Sequence, residues 1–157
     1  MSQGIEVAAP GFAAAKKDGS LTANMNRAPV LVVGGESIGQ STAIERLVAR
    51  RLGMYGDSDL EGAKIDMIVE HIADIKKTYS DAKKAKKAMG DEGKEEKCPV
   101  DAWFEEAAPA WFGKLELCLG ATSGFAVGGK TSWADAKLYV RGAGRARRGG
   151  RGERGRH

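Results

Sequence analysis

The chain has 157 residues, room for one ordinary domain or two small ones, and 42% of them are hydrophobic, enough to bury a core. No apolar run approaches the roughly 20 residues a membrane span needs, and the start, MSQGIEVAAP, lacks a basic stretch followed by an apolar one, so neither a membrane protein nor a secretory leader is expected. The formal charge of +4 is uneven: seven Arg against Glu153 give residues 141–157 a local +6, which leaves −2 on residues 1–140, so a charge argument for polyanionic partners applies to the tail.

In chain order, residues 12–18 (FAAAKKD) read as a short helix that Gly19-Ser20 ends. Pro29 opens the β-branched run Val30-Leu31-Val32-Val33, and Gly34-Gly35 joins it to Glu36-Ser37-Ile38. Two short runs around a Gly-Gly pair predict a tight hairpin, because Gly tolerates the positive φ of primed turns. A proline at strand entry costs little, since its missing donor lies outside the ladder. By general frequency its peptide bond is trans; the functional alternative is a cis bond that turns the Ala28 backbone toward a ligand.

A helix is predicted from Ser41, with Ala43, Ile44, Leu47, Val48 and Leu52 at helical spacing and Gly53 as its stop. The Gln40-Ser41 pair at its start has two readings. It caps the helix, or it completes an anion site with the unpaired N–H groups there. Ser58 with Glu61 is a capping box for a longer helix, in which Ile65, Ile68, Val69, Ile72, Ile75 and Tyr79 share one face. Lysines 76, 77, 83, 84, 86 and 87 continue past that face and read as a solvated helix end that complements the dipole. On the same helix Glu70, His71 and Asp74 could form a metal face only with help from elsewhere, so a solvated or interface histidine is the simpler reading.

Residues 90–97 read as charged loop. Trp103, Phe104, Trp111, Phe112, Leu115 and Leu119 suggest another helix, kinked or restarted at Pro109. After a loop over residues 120–129, Ser132 and Asp135 mark a further helix start, with the Asp accepting from first-turn amides. The two cysteines, Cys98 and Cys118, show neither disulfide-framework nor zinc spacing, which points to a reduced, cytosolic setting. The Arg/Gly run over 141–157 has no aliphatic side chain larger than Ala and is expected to be disordered. In composition it is like an RGG-type RNA-binding segment without stacking aromatics, capable of weak non-specific phosphate contact. It reads equally well as the translation of GC-rich out-of-frame or intron sequence.

Five motifs in order then resemble the glutathione S-transferase family, most like its sigma-type branch. They are Pro29-Val-Leu-Val-Val-Gly-Gly-Glu36, Gly39-Gln40-Ser41-Thr-Ala-Ile44-Glu-Arg46, the helix through Asp66-Met-Ile-Val-Glu70, Glu105-Glu-Ala-Ala-Pro109-Ala-Trp111, and Phe125-Ala-Val-Gly-Gly-Lys130-Thr-Ser132-Trp-Ala-Asp135. The resemblance covers roughly residues 12 to 140. It implies a mixed fold, mostly α: a partial thioredoxin-like glutathione-binding domain over 1–52, an incomplete all-helical C-terminal domain over 53–140, and the tail.

It also implies glutathione as co-substrate, a small electrophile as second substrate, a homodimer, and a role in cytoplasmic detoxification. By the same resemblance, Gln40 and Ser41 match the pair that binds the γ-glutamyl carboxylate and amine. Ala28 matches the residue whose backbone pairs with the tripeptide's cysteine, and Pro29 the adjoining cis-proline. Phe12 and Lys16 fall where the glycine end is held, and Asp74 matches an acid that reaches the γ-glutamyl amine across a dimer interface. Residues 1–11 contain Ser2 but no Tyr or Cys and no strand–helix–strand pattern, so no catalytic residue is assigned. The alternatives are a non-catalytic interaction or structural subunit of the same family, and a nucleic-acid-associated protein acting through the tail.

Overall fold

The computed structural model describes residues 11–89, 97–119 and 124–139. Residues 1–10, 90–96, 120–123 and 140–157 lie outside the described residues, and with them the expected charged loop and the expected disorder of the tail. The chain divides into two compact units, Met1–Gly53 and Met54–His157. The first is a partial thioredoxin-like unit and the second is helical.

The first unit opens with α1, Phe12–Ala15, where only Ala15 is buried. Gly19, at φ 82°, turns the chain out of it. A single 3-10 turn, Thr22–Asn24, precedes the hairpin of β1, Val30–Val33, and β2, Glu36–Gly39. The strands are antiparallel, pairing Val30 with Gly39, Leu31 with Ile38, Val32 with Ser37 and Val33 with Glu36. Gly34 and Gly35 sit at φ 59° and 84°, the two positive values a type I′ turn demands.

Helix α2, Ser41–Arg51, follows β2 after the single residue Gln40, and Gly53 at φ 67° stops it. Leu52, expected on its apolar face, is exposed, because the helix has ended one residue earlier.

Gly39 meets the 3-10 turn closely. A Cβ at Gly39 would lie 2.3 Å from the Ala23 carbonyl oxygen and 2.7 Å from Asn24 Cβ. Both obstacles are at or next to the backbone, so neither moves cheaply. Asn24, itself buried, donates from Nδ2 to the Pro29 carbonyl at 2.9 Å. One turn thereby contacts β2 and the residue entering β1.

The second unit is built on α3, Asp59–Met89, of 31 residues. Ser58 Oγ accepts from the Glu61 N–H at 3.2 Å, as a capping box requires, but the Glu61 carboxylate reaches the Asp57 amide at 2.6 Å, one residue before the expected one. Ile65, Ile68, Val69, Ile72 and Ile75 are all buried, so the predicted stripe is α3's share of the core of the unit. Tyr79 continues it into a ring cluster with Trp103 and Phe104, and Trp103 Nε1 donates to Thr78 Oγ1 at 3.0 Å.

Helix α4, Pro99–Ala102, passes through one wide π-turn over Trp103–Ala107 into α5, Ala108–Leu119. The predicted irregularity therefore lies just before Pro109. An ordinary turn would set the proline ring against the carbonyl four residues back, and widening that turn makes room. Phe104 and Phe112, read from sequence among the apolar residues of this helical stretch, are 38% and 39% exposed, while Ala108 and Leu115 are buried. Lys97 bridges to Glu105 at 2.8 Å and Glu106 at 2.7 Å, and those hydrogen bonds hold its ammonium above the usual lysine range.

A last helix, α6, occupies 133–139. Asp135 accepts from the Ser132 amide at 2.8 Å, from the Ser132 hydroxyl at 2.6 Å and from the Ala126 amide at 2.7 Å. Ser132, Trp133 and Ala134 are buried, and the Trp133 amide donates to the Met54 carbonyl at 2.8 Å.

Two stability measurements follow. Gly39→Ala should destabilise the first unit by about 2–3 kcal/mol through overpacking, seen as a lower urea midpoint; an unchanged midpoint would show that the 3-10 turn yields freely. Asp135→Ala strands two backbone amides and should cost the second unit about 2–4 kcal/mol. Asp135→Asn, which keeps an acceptor, should cost less, and equal losses would count against the capping role.

Candidate functional site

The register of the hairpin decides where the site residues fall. Val30 is paired with Gly39, so the residues just outside that pair, Pro29 before β1 and Gln40 after β2, lie at the same open end of the hairpin. Directly opposed residues in an antiparallel pair have Cα atoms about 4.5–5.5 Å apart. Pro29 and Gln40, eleven positions apart in sequence, are thus neighbours at that end, with Ala28 and Ser41 each one residue further along the chain. All four residues are exposed.

The Ala28–Pro29 peptide bond is cis, the less frequent geometry for such bonds in general. Asn24, holding the Pro29 carbonyl, has its other amide atom, Oδ1, buried without a hydrogen-bond partner among the described residues. Met25 and Asn26 occupy the left-handed region at φ 51° and 59° as the chain approaches Ala28.

Gln40 is the residue before the first turn of α2, with φ 69° and ψ 118° and no side-chain capping hydrogen bond. The plain cap weighed from sequence is therefore not made by the Gln40 side chain. In this backbone conformation its carbonyl still accepts from the Ile44 amide at 3.0 Å. The first-turn amides of α2 point toward the open end of the hairpin beside an exposed Ser41 hydroxyl, an arrangement suited to a carboxylate. No acidic residue stands in that first turn to compete.

Phe12 and Lys16 form a second cluster in the same unit. They are one helical turn apart, and Lys16 Nζ lies 4.8 Å from the centre of the Phe12 ring, with both side chains exposed. The pair offers a cation beside an apolar face. Asp74 belongs to the second unit and is exposed on α3. Near it, His71 is half-buried and Glu70 exposed, and among the described residues no three His, Cys, Asp or Glu converge on a point that could hold a metal ion. Cys98 and Cys118 are free thiols. No described helix is long and apolar enough to cross a membrane.

Sequence reasoning missed Asn24 and Gly39. Their roles rest on contacts across the hairpin, and neither residue carries a local signal beyond being compatible with a turn.

Comparison with known proteins covers both units. The model of the family "Glutathione S-transferase, C-terminal domain" matches residues 73–141. Glutathione S-transferase 2 of Manduca sexta is 30% identical over 107 residues, which are 68% of this chain and 50% of that protein. Hematopoietic prostaglandin D synthase of Gallus gallus is 33% identical over 114 residues, 73% of this chain and 53% of that one. The chain thus spans about half the length of these curated relatives. Among solved structures, a monomeric glutathione S-transferase of the hookworm Necator americanus superposes with a TM-score of 0.67 at 25% identity, over 87% of this chain and 66% of that one. With both units matched in order, the chain is a member of the glutathione S-transferase family.

Proposed function

We propose that the chain binds glutathione at the open end of the hairpin and conjugates its thiol to a small electrophile. The observation that carries this reading is the pairing of Val30 with Gly39, which sets cis-Pro29 beside a helix start that has no side-chain cap. Glutathione carries two carboxylates and one ammonium, so it calls for helix-end donors, a cation and an anion.

In this reading the first-turn amides of α2, the Ser41 hydroxyl and the Gln40 amide receive the γ-glutamyl carboxylate and amine. The Ala28 backbone, next to Pro29, pairs with the cysteine of the tripeptide. Lys16, against Phe12, takes the glycine carboxylate. Asp74 reaches the γ-glutamyl ammonium from a second copy in a homodimer. The sulfur of the bound thiolate attacks the electrophilic carbon, a C–S bond forms, the leaving group departs with its electron pair, and the thiol proton passes to solvent. The setting is the cytoplasm and the role is detoxification.

Retention on immobilised glutathione tests the binding half. Gln40→Ala/Ser41→Ala should weaken it by roughly 10- to 100-fold, the loss expected for one or two hydrogen bonds to a charged group. Failure of the folded, unaltered protein to be retained would end the proposal. Conjugation is read separately by absorbance with chlorodinitrobenzene as electrophile. A turnover signal that rises with protein and glutathione supports transfer, whereas retention without turnover leaves a binding protein only.

A further inference from the structure

We propose that the C-terminal end of α3 is a docking rod for duplex DNA, held through the phosphates of the major groove. The last buried residue of α3 is Ile75, and its ring contacts with Trp103 and Phe104 of the π-turn end at Tyr79, yet the helix runs on to Met89. From Asp81 to Ala88 every residue except Ala82 is exposed. Those residues make about 12 Å of helix at 1.5 Å per residue, and core packing does not explain them.

All six lysines over residues 76–87 are exposed. At roughly 100° per residue, Lys76, Lys83 and Lys87 share one crest about 40° wide. Lys77 and Lys84 flank it on one side and Lys86 on the other, so cations cover about half the cylinder. The stretch contains one carboxylate, Asp81, and it engages Lys77 at 3.4 Å and Lys84 at 3.0 Å. Among the described residues no carboxylate lies within ion-pair distance of Lys76, Lys83, Lys86 or Lys87. Between the lysines stand Ala82, Ala85 and Ala88, which keep the rod slim.

These features select the occupant. A helix about 10–12 Å across fits the major groove of B-form DNA, about 12 Å wide, with phosphates along both walls. Cations on a crest and both flanks reach both walls at once. The A-form major groove is too narrow for the same helix. A membrane surface is disfavoured because, between Tyr79 and the end of α3, Met89 is the only large apolar side chain. Residues 76–89 contain no Arg, Asn or Gln to read base edges, so the contact is to phosphates and blind to sequence.

The test is fluorescence anisotropy of a labelled 20-bp DNA duplex against the full-length chain, titrated with KCl, in a background whose seven tail arginines are changed to Gln. Binding at low salt with a log–log salt slope of about −3 to −4 is expected. Substituting Lys76, Lys83, Lys86 and Lys87 with Gln should remove that slope and weaken binding at least tenfold, with helix content by circular dichroism unchanged. The same number of Lys→Gln changes at Lys17, Lys64, Lys114 and Lys137 should leave most of it. Changing the four lysines to Arg should keep it. No duplex binding in the tail-neutralised background, equal losses in the two Gln variants, or equal affinity for an A-form RNA duplex or anionic vesicles would each overturn the proposal.

Discussion

The 3-10 turn at Thr22–Asn24 holds both arms of the hairpin, and the geometry of the first unit depends on it. Gly39 has no side chain at the point where the Ala23 carbonyl and the Asn24 Cβ come closest. From the same turn, Asn24 grips the carbonyl of Pro29. Removing either contact would free one strand end relative to the other. The hairpin register then converts that contact into placement, because whatever fixes Pro29 and Gly39 also fixes Ala28 and Gln40. A two-stranded hairpin is marginal by itself, so α2 and the turn supply the support that a wider sheet would otherwise give.

The second unit solves a different problem. Its core is a ladder of β-branched residues on α3 joined by Leu115, Val127 and Trp133 from other segments, which are also tied to α3 or to its start by polar groups. Trp103 bonds to Thr78, Lys130 to Asp57, and Trp133 to the Met54 carbonyl. Hydrophobic burial is non-directional, while these bonds choose one arrangement among the many that would bury the same ladder. The Asp135 cap has the same character, since one carboxylate satisfies two amides and a hydroxyl at the head of α6.

What could be read in advance was what local chemistry decides. The Gly34-Gly35 turn, the stripe from Ile65 to Ile75 and the Ser132–Asp135 cap each follow from residues within a turn or two of one another. The cis bond at Pro29 came only from family resemblance, because X–Pro chemistry by itself leans the other way. Asn24 was invisible, since its partner is chosen by tertiary approach. The exposure of Phe104 and Phe112 was also illegible: a π-turn adds a residue to one turn and rotates the faces on either side of it, which a constant 3.6-residue period cannot follow. Of the candidate site, Gln40 and Ser41 were readable as a helix start, but the place of Gln40 beside Pro29 needed the register.

Gln40 carries a cost with an engineering consequence. At φ 69° and ψ 118° it lies outside even the small left-handed basin open to side-chain-bearing residues, a position Gly would occupy with least penalty. Strain of this kind amounts to on the order of 1–3 kcal/mol. Any campaign that ranks substitutions by thermal tolerance alone would therefore favour glycine at position 40. It would harden the scaffold while erasing the side chain on which recognition is proposed to rest, so directed evolution here needs selection on ligand capture and on melting temperature together.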